Sequence, residues 1–154
     1  MLQPNHHIHL SRYRPWFYAA ALYNLLWGTF NILFPHLYFD WIGIPRPNYL
    51  PLWQVIGMFV LVYAPAYWWA AQNPQQHVHL IAIGLLGKLL GPIGFIWSLL
   101  TGQLPLAFGW TLLLNDLIWW PAFIAYLRDV RREGEELKAL SSGRRPAAPA
   151  GTAQ

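Results

Sequence analysis

"LIAIGLLGKLLGPIGFIWSLL", residues 80–100, is the stretch on which the fold turns. It matches the ~20 apolar residues that a helix needs to cross a hydrocarbon core ~30 Å thick. A backbone in lipid must satisfy its own hydrogen bonds, so such a run is read as a helix. Only one charge, Lys88, interrupts it. Three runs of similar character lie at 16–34, 52–71 and 106–127. Between Trp16 and Leu127 the charged residues are Asp40, Arg46, Lys88 and Asp116 alone. The buried helices of a soluble bundle carry a polar stripe, and these runs do not.

The reading is therefore an all-α chain, an antiparallel bundle of four transmembrane helices over 16–127. A polar lead, 1–15, precedes the bundle. A charged helical extension, 128–140, and a low-complexity, disordered tail, 141–154, follow it. The composition agrees, with 56% hydrophobic and 10% charged residues against about 25% charged in soluble domains. The first run is too long for the h-region of a signal peptide and lacks a small-residue cleavage site, so it is read as an uncleaved span.

Lysine and arginine set the orientation. With both ends in the cytoplasm, that side holds Arg12, Arg14, Arg128, Arg131, Arg132, Lys138, Arg144 and Arg145, and the other side holds Arg46. The positive-inside rule then places both termini in the cytoplasm of a bacterial inner membrane. The net charge of +4 follows from this bias and gives no reason to expect nucleic acid. Trp16, Trp68 and Trp69 map to the inner interface, and Trp41 and Trp53 to the outer one.

A lysine near mid-bilayer costs ~2.5–3.5 kcal/mol on the insertion scale, so Lys88 needs a partner, water or a route to the interface. The partner expected is Asp116 in "NDLIWWP", 115–121. At 1.5 Å per residue the two lie about 12 and 16 Å from the same face, and a short turn, "TGQLP", joins their helices. The same counting puts Asn24, Tyr63 and Asn115 at that level, giving one buried polar layer with Lys88 and Asp116. Asn31 and Gln54 are expected to form a smaller outer layer. Gly84, Gly87, Gly91 and Gly94 make a smooth strip for close helix packing. Pro92 and Pro121 are expected to bend their helices and free the carbonyls of Lys88 and Leu117. Asp40 and Arg46 are expected to pair across the long connection 35–51.

Two meanings of the layer stay open. It fixes helix order and register, or it relays protons or binds a polar head group. The histidines supply weak metal candidates in His77 and His79, beside His6, His7 and His9. They sit in loops with no carboxylate or cysteine near them, so no metal or cofactor is expected. With no cysteine in the chain, thiol chemistry is excluded.

The segments "LYNLLWGTFNILFP", "FDWIGIPRP", "LWQVIGMFVLVYAPAYWWAA", "GLLGKLLGPIGF" and "NDLIWWPAF" resemble a group of short bacterial integral membrane proteins. More distantly, a proline ending the first of four helices and an aromatic outer loop resemble the DoxX-like superfamily. That resemblance implies a small membrane subunit or partner of redox and cargo-handling proteins, and it carries over no catalytic residue. Proteins similar to this chain are sometimes labelled alkyl hydroperoxide reductase, which implies a peroxidatic cysteine that this chain lacks. The expected function is a non-catalytic accessory or partner-binding membrane subunit in contact with the lipid bilayer. The alternatives are a small carrier or proton-coupled channel centred on Lys88 and Asp116, and an enzyme acting on a lipid or quinone.

Overall fold

The computed structural model describes residues 8–142, and these are all-α, with no strand among them. The elements are α1 (Ile8–Ser11), α2 (Arg14–Leu33), α3 (Leu37–Ile42), α4 (Leu50–Gln72), α5 (Val78–Leu100), a 3₁₀ turn (Leu106–Phe108), α6 (Gly109–Asn115), a second 3₁₀ turn (Leu117–Trp119) and α7 (Trp120–Ser141). Helices α4 and α5 are long and apolar enough to cross a membrane. The tail expected to be disordered lies, from 143 onward, outside the described residues, as do His6 and His7.

Proline opens three of the long helices, at Pro15, Pro51 and Pro121. In a first helical turn its missing N–H is no loss and its fixed φ suits the helix. Glycine closes two others. Gly43 (φ +70°) ends α3, and Gly102 (φ +70°) follows α5. At Gly102 the amides of Gln103 and Gly102 return to the carbonyls of Ser98 and Leu99, which turns the chain sharply.

The larger buried core lies where α2, α4, α5 and α7 come together. Phe17, Ala20 and Ala21 of α2 meet Tyr67, Ala70 and Ala71 of α4, Ile81 of α5, and Phe123 and Tyr126 of α7. Phe17 and Tyr126 pack edge to face at 4.9 Å. The segment before α2 belongs to this core. Leu10 and Tyr13 are buried, and Tyr13 Oη donates to Asp129 Oδ2 at 2.6 Å. Arg12 also donates to that carboxylate. The described part of the expected polar lead is thus held by apolar packing at Leu10 and Tyr13 and by an ion pair spanning 117 residues of sequence.

Two expected boundaries shift. The segment 106–127 is not one helix, because α6 stops at Asn115 and α7 starts at Trp120. Pro121 cannot donate to Leu117, so the chain restarts helical winding with the proline in its first turn. The charged extension is then no separate element, since α7 runs unbroken from Trp120 to Ser141.

A second cluster fills the opposite end. Tyr38 stacks on Trp53 at 5.6 Å, and Phe39 meets the same indole edge-on at 4.9 Å. Trp53 is therefore core rather than interface, whereas Trp41 stands 80% exposed. Arg46 grips Asp40 with two parallel bonds, Nε to Oδ1 at 2.7 Å and Nη2 to Oδ2 at 2.6 Å. This fork holds the Asp40 carboxyl below the usual carboxylate range.

The outside is apolar. Leu26, Phe59, Val62, Leu90, Ile93 and Trp97 are all more than half exposed. Soluble monomers rarely show contiguous apolar surface on this scale.

Candidate functional site

Asn24, Tyr63, Lys88, Asn115 and Asp116 line one cavity of about 190 Å³. Lys88 and Asp116 are each 5% exposed. Lys88 Nζ lies 3.9 Å from Asp116 Oδ1, long for a direct bond. The ammonium donates instead to the carbonyl of Asn115. That carbonyl is free because the Trp119 amide bonds Asp116 rather than Asn115. The break between α6 and α7 therefore delivers a backbone oxygen to the lysine. The rings of Tyr67 and Trp119 add their faces, at 6.0 and 5.9 Å, near the outer limit for a cation–π contact.

Pro92 has a matching effect on α5. It leaves the Lys88 carbonyl without an in-helix donor, and the Trp120 indole N–H takes that place at 3.2 Å. The α6–α7 break and the proline inside α5 thus each leave a carbonyl to a side chain of the neighbouring helix.

The glycine strip acts differently from a helix–helix seam. A Cβ on Gly84 would collide with the Tyr67 ring, and one on Gly91 would lie 2.7 Å from Asp116 Oδ2. These two glycines make room for side chains. A Cβ on Gly87 would meet only the Tyr63 hydroxyl, at 3.7 Å, and one on Gly94 would meet nothing within 4 Å. The close backbone approach is elsewhere. A Cβ on Gly28 of α2 would stand 2.8 Å from the Gly57 carbonyl and from the Leu61 amide of α4.

Asn31 and Gln54 sit at neighbouring positions of the α2–α4 pair without bonding each other. Gln54 Nε2 donates to the Ile32 carbonyl at 2.8 Å, which caps the end of α2. Asn31 Nδ2 donates back to the Trp27 carbonyl at 2.6 Å. Its Oδ1 is buried without a partner. Asn31 lines a second cavity, of about 370 Å³, together with Trp53, Gly94 and Ser98. This cavity also touches Asn115 and Asp116, so the two cavities meet at that dipeptide.

The two cavities lie side by side between α4, α5, α2 and α6. Helix α4 packs far more closely on α2 than on α5. Both are lined by Ile56 of α4, which is 51% exposed, and by Gly87 of α5. Their walls are mostly apolar, and Asn24 Oδ1, Asn115 Oδ1 and Trp53 Nε1 are buried without a partner behind them. Sequence counting points to the polar layer but not to the cavities, whose volume comes from Gly87 and Gly94 having no side chain.

His77 and His79 rings lie 6.2 Å apart, and no group of three metal-ligating side chains occurs among the described residues. No protein-family model, curated protein or solved structure matches this chain.

Proposed function

We propose that this chain is a four-span antiparallel protein of a bacterial cytoplasmic membrane, with both ends in the cytoplasm. It works as a non-catalytic module that holds a membrane-dissolved molecule beside Lys88 and Asp116 and presents it to a partner protein. The apolar exterior, the arginine-rich end and the resemblance to small DoxX-like membrane subunits support the setting. One observation carries the binding role: a cavity beside the buried Lys88–Asp116 pair, lined largely by apolar side chains that include the exposed Ile56 of α4. An apolar wall with few convergent polar groups is also the usual make-up of a small-molecule site.

Native mass spectrometry of protein extracted in mild detergent tests this. The expected result is a retained non-protein mass that Gly87→Leu abolishes, since the leucine would grow into that cavity. Wild type and variant flying equally bare would overturn the binding role.

A second reading draws on the two ionisable side chains, Lys88 and Asp116, that line one cavity. That pairing favours a small proton-coupled carrier, in which Asp116→Asn abolishes flux into proteoliposomes.

A further inference from the structure

A pair of charges that only fixed helix register would gain from close packing on every side. Lys88 and Asp116 instead line a cavity of about 190 Å³. Gly87 keeps volume open beside them, since a Cβ there would meet only the Tyr63 hydroxyl, at 3.7 Å. The wall also includes Ile56 and Phe59 of α4, which are 51% and 66% exposed on the apolar exterior. The cavity is too small for a whole lipid and large enough for the head of a chain molecule.

The chain has two lysines, Lys88 and Lys138, and Lys138 stands exposed on α7. A lysine held in an apolar pocket is the usual amine nucleophile toward carbonyl compounds. Lys88 Nζ donates to the Asn115 carbonyl, which fixes the amine, and lies 3.9 Å from Asp116 Oδ1, which can take a proton. The charge arrangement then selects among electrophiles. Acylation would turn the amine into a neutral amide and leave Asp116 buried and unpaired. Condensation with an aldehyde replaces the ammonium by an iminium, so the buried charges stay balanced.

Resting on the proposed binding role, we propose that Lys88 captures a membrane-dissolved, long-chain aldehyde as a protonated Schiff base, with Asp116 as its counter-ion. The ammonium first passes a proton to Asp116. The neutral amine forms a C–N bond to the aldehyde carbon, and one of its N–H protons ends on the carbonyl oxygen. Asp116 gives its proton to that hydroxyl, the C–O bond breaks and water leaves. The nitrogen lone pair completes the C=N bond. One ammonium and one aldehyde thus give one iminium and one water, with no change in net charge or oxidation state. The head occupies the cavity, and the chain runs out past Ile56 and Phe59 into lipid.

The test uses the full chain in lipid nanodiscs, with dodecanal as the probe and pyridine borane, an uncharged reductant that enters the bilayer, to trap the iminium. Peptide mass mapping reads the dodecyl adduct at Lys88 and at Lys138. The expected result is trapping at Lys88 at least tenfold faster than at Lys138. The Lys88 rate should fall tenfold or more in Gly87→Leu, which fills the cavity and leaves the pair in place. It should fall likewise in Asp116→Asn and recover in Asp116→Glu. Gly87→Ala controls for folding, because its methyl makes only an ordinary contact, and it should keep most of the trapping. A Lys88 rate no higher than that of Lys138, or one unmoved by Gly87→Leu or by Asp116→Asn, would overturn the proposal. If native mass spectrometry then still finds a retained non-covalent mass that Gly87→Leu abolishes, the binding role stands without the covalent step. If it finds none, both fall.

Discussion

Lys88 Nζ and Asp116 Oδ1 face each other at 3.9 Å, both side chains buried, with the Asn115 carbonyl taking the nearer bond from the ammonium. Charge balance and hydrogen bonding are thus shared between two adjoining residues. Removing one charge leaves the other buried and unpaired, which costs about 3–5 kcal/mol, whereas replacing both with apolar groups is often near neutral. Lys88→Met is expected to lower stability in detergent by that larger amount, and Lys88→Met with Asp116→Leu by much less. Chemical denaturation followed by tryptophan fluorescence reads the difference. Equal losses would show that the pair is not coupled.

The glycines divide by what fills the space beside them. Gly28→Ala forces a methyl against the backbone of Gly57 and Leu61, and overpacking of this kind costs about 1–3 kcal/mol. Gly94→Ala meets open space and gains helix propensity, so it should be neutral or stabilising. Thermal unfolding of the two variants should separate them clearly. Similar midpoints would contradict the packing described.

Gly91 offers a sharper case. Its added methyl would press on Asp116 Oδ2. Gly91→Ala alone should destabilise, while Gly91→Ala in an Asp116→Ala background should not. A double-mutant cycle measures this coupling, and additive losses would place the carboxylate elsewhere.

These contrasts show what a linear reading detects. Runs 52–71 and 80–100 are legible because length and hydropathy alone mark α4 and α5. The level shared by Lys88 and Asp116 is legible because depth follows from counting along a helix. The role of the glycines is not. Spacing in α5 says that one face is smooth, but not whether backbone, a tyrosine ring or a cavity lies against it. Gly57 has no glycine pattern within α4 to announce it, yet it accepts the closest approach of α2. Nor does any local signal link Tyr13 to Asp129, which only the folded chain brings together. The stop at Asn115 is half legible. Pro121 forbids a regular bond to Leu117, but no local signal announces the 3₁₀ turn that frees the Asn115 carbonyl.

The Tyr13–Asp129 contact makes its own prediction. Hydrogen bonds to a charged group contribute about 1.5–3 kcal/mol. Asp129→Asn removes the charge that Arg12 and Tyr13 share. Hydrogen exchange across residues 8–17 should then quicken by about tenfold or more, as a local loss of ~1.4 kcal/mol implies. Unchanged exchange there, with faster exchange across the whole chain, would show that Asp129 stabilises the fold without anchoring α1.

The Asp40–Arg46 fork is pH-dependent with a definite sign. The folded carboxyl titrates below its ordinary value, which is about 3.9. Its contribution to loop order is complete above that value and fades as pH falls through the lower, folded one. Carbon-13 NMR of labelled aspartate should follow Asp40 titrating below about 3.9. Arg46→Gln should move that midpoint upward. A midpoint unmoved by the substitution would mean that the fork does not persist in solution.

The central claim is that the chamber beside Lys88 and Asp116 opens to lipid rather than to water. Because the chain has no cysteine, single nitroxide labels can be placed without further engineering. Labels at Gly94→Cys, Leu90→Cys and Lys138→Cys, in reconstituted bilayers, report collisions with dissolved oxygen and with a water-soluble nickel complex. Position 94 is predicted to behave like Leu90, on the apolar face of α5, with oxygen dominating. A nickel-dominated signal at 94 like that at Lys138 would contradict the account.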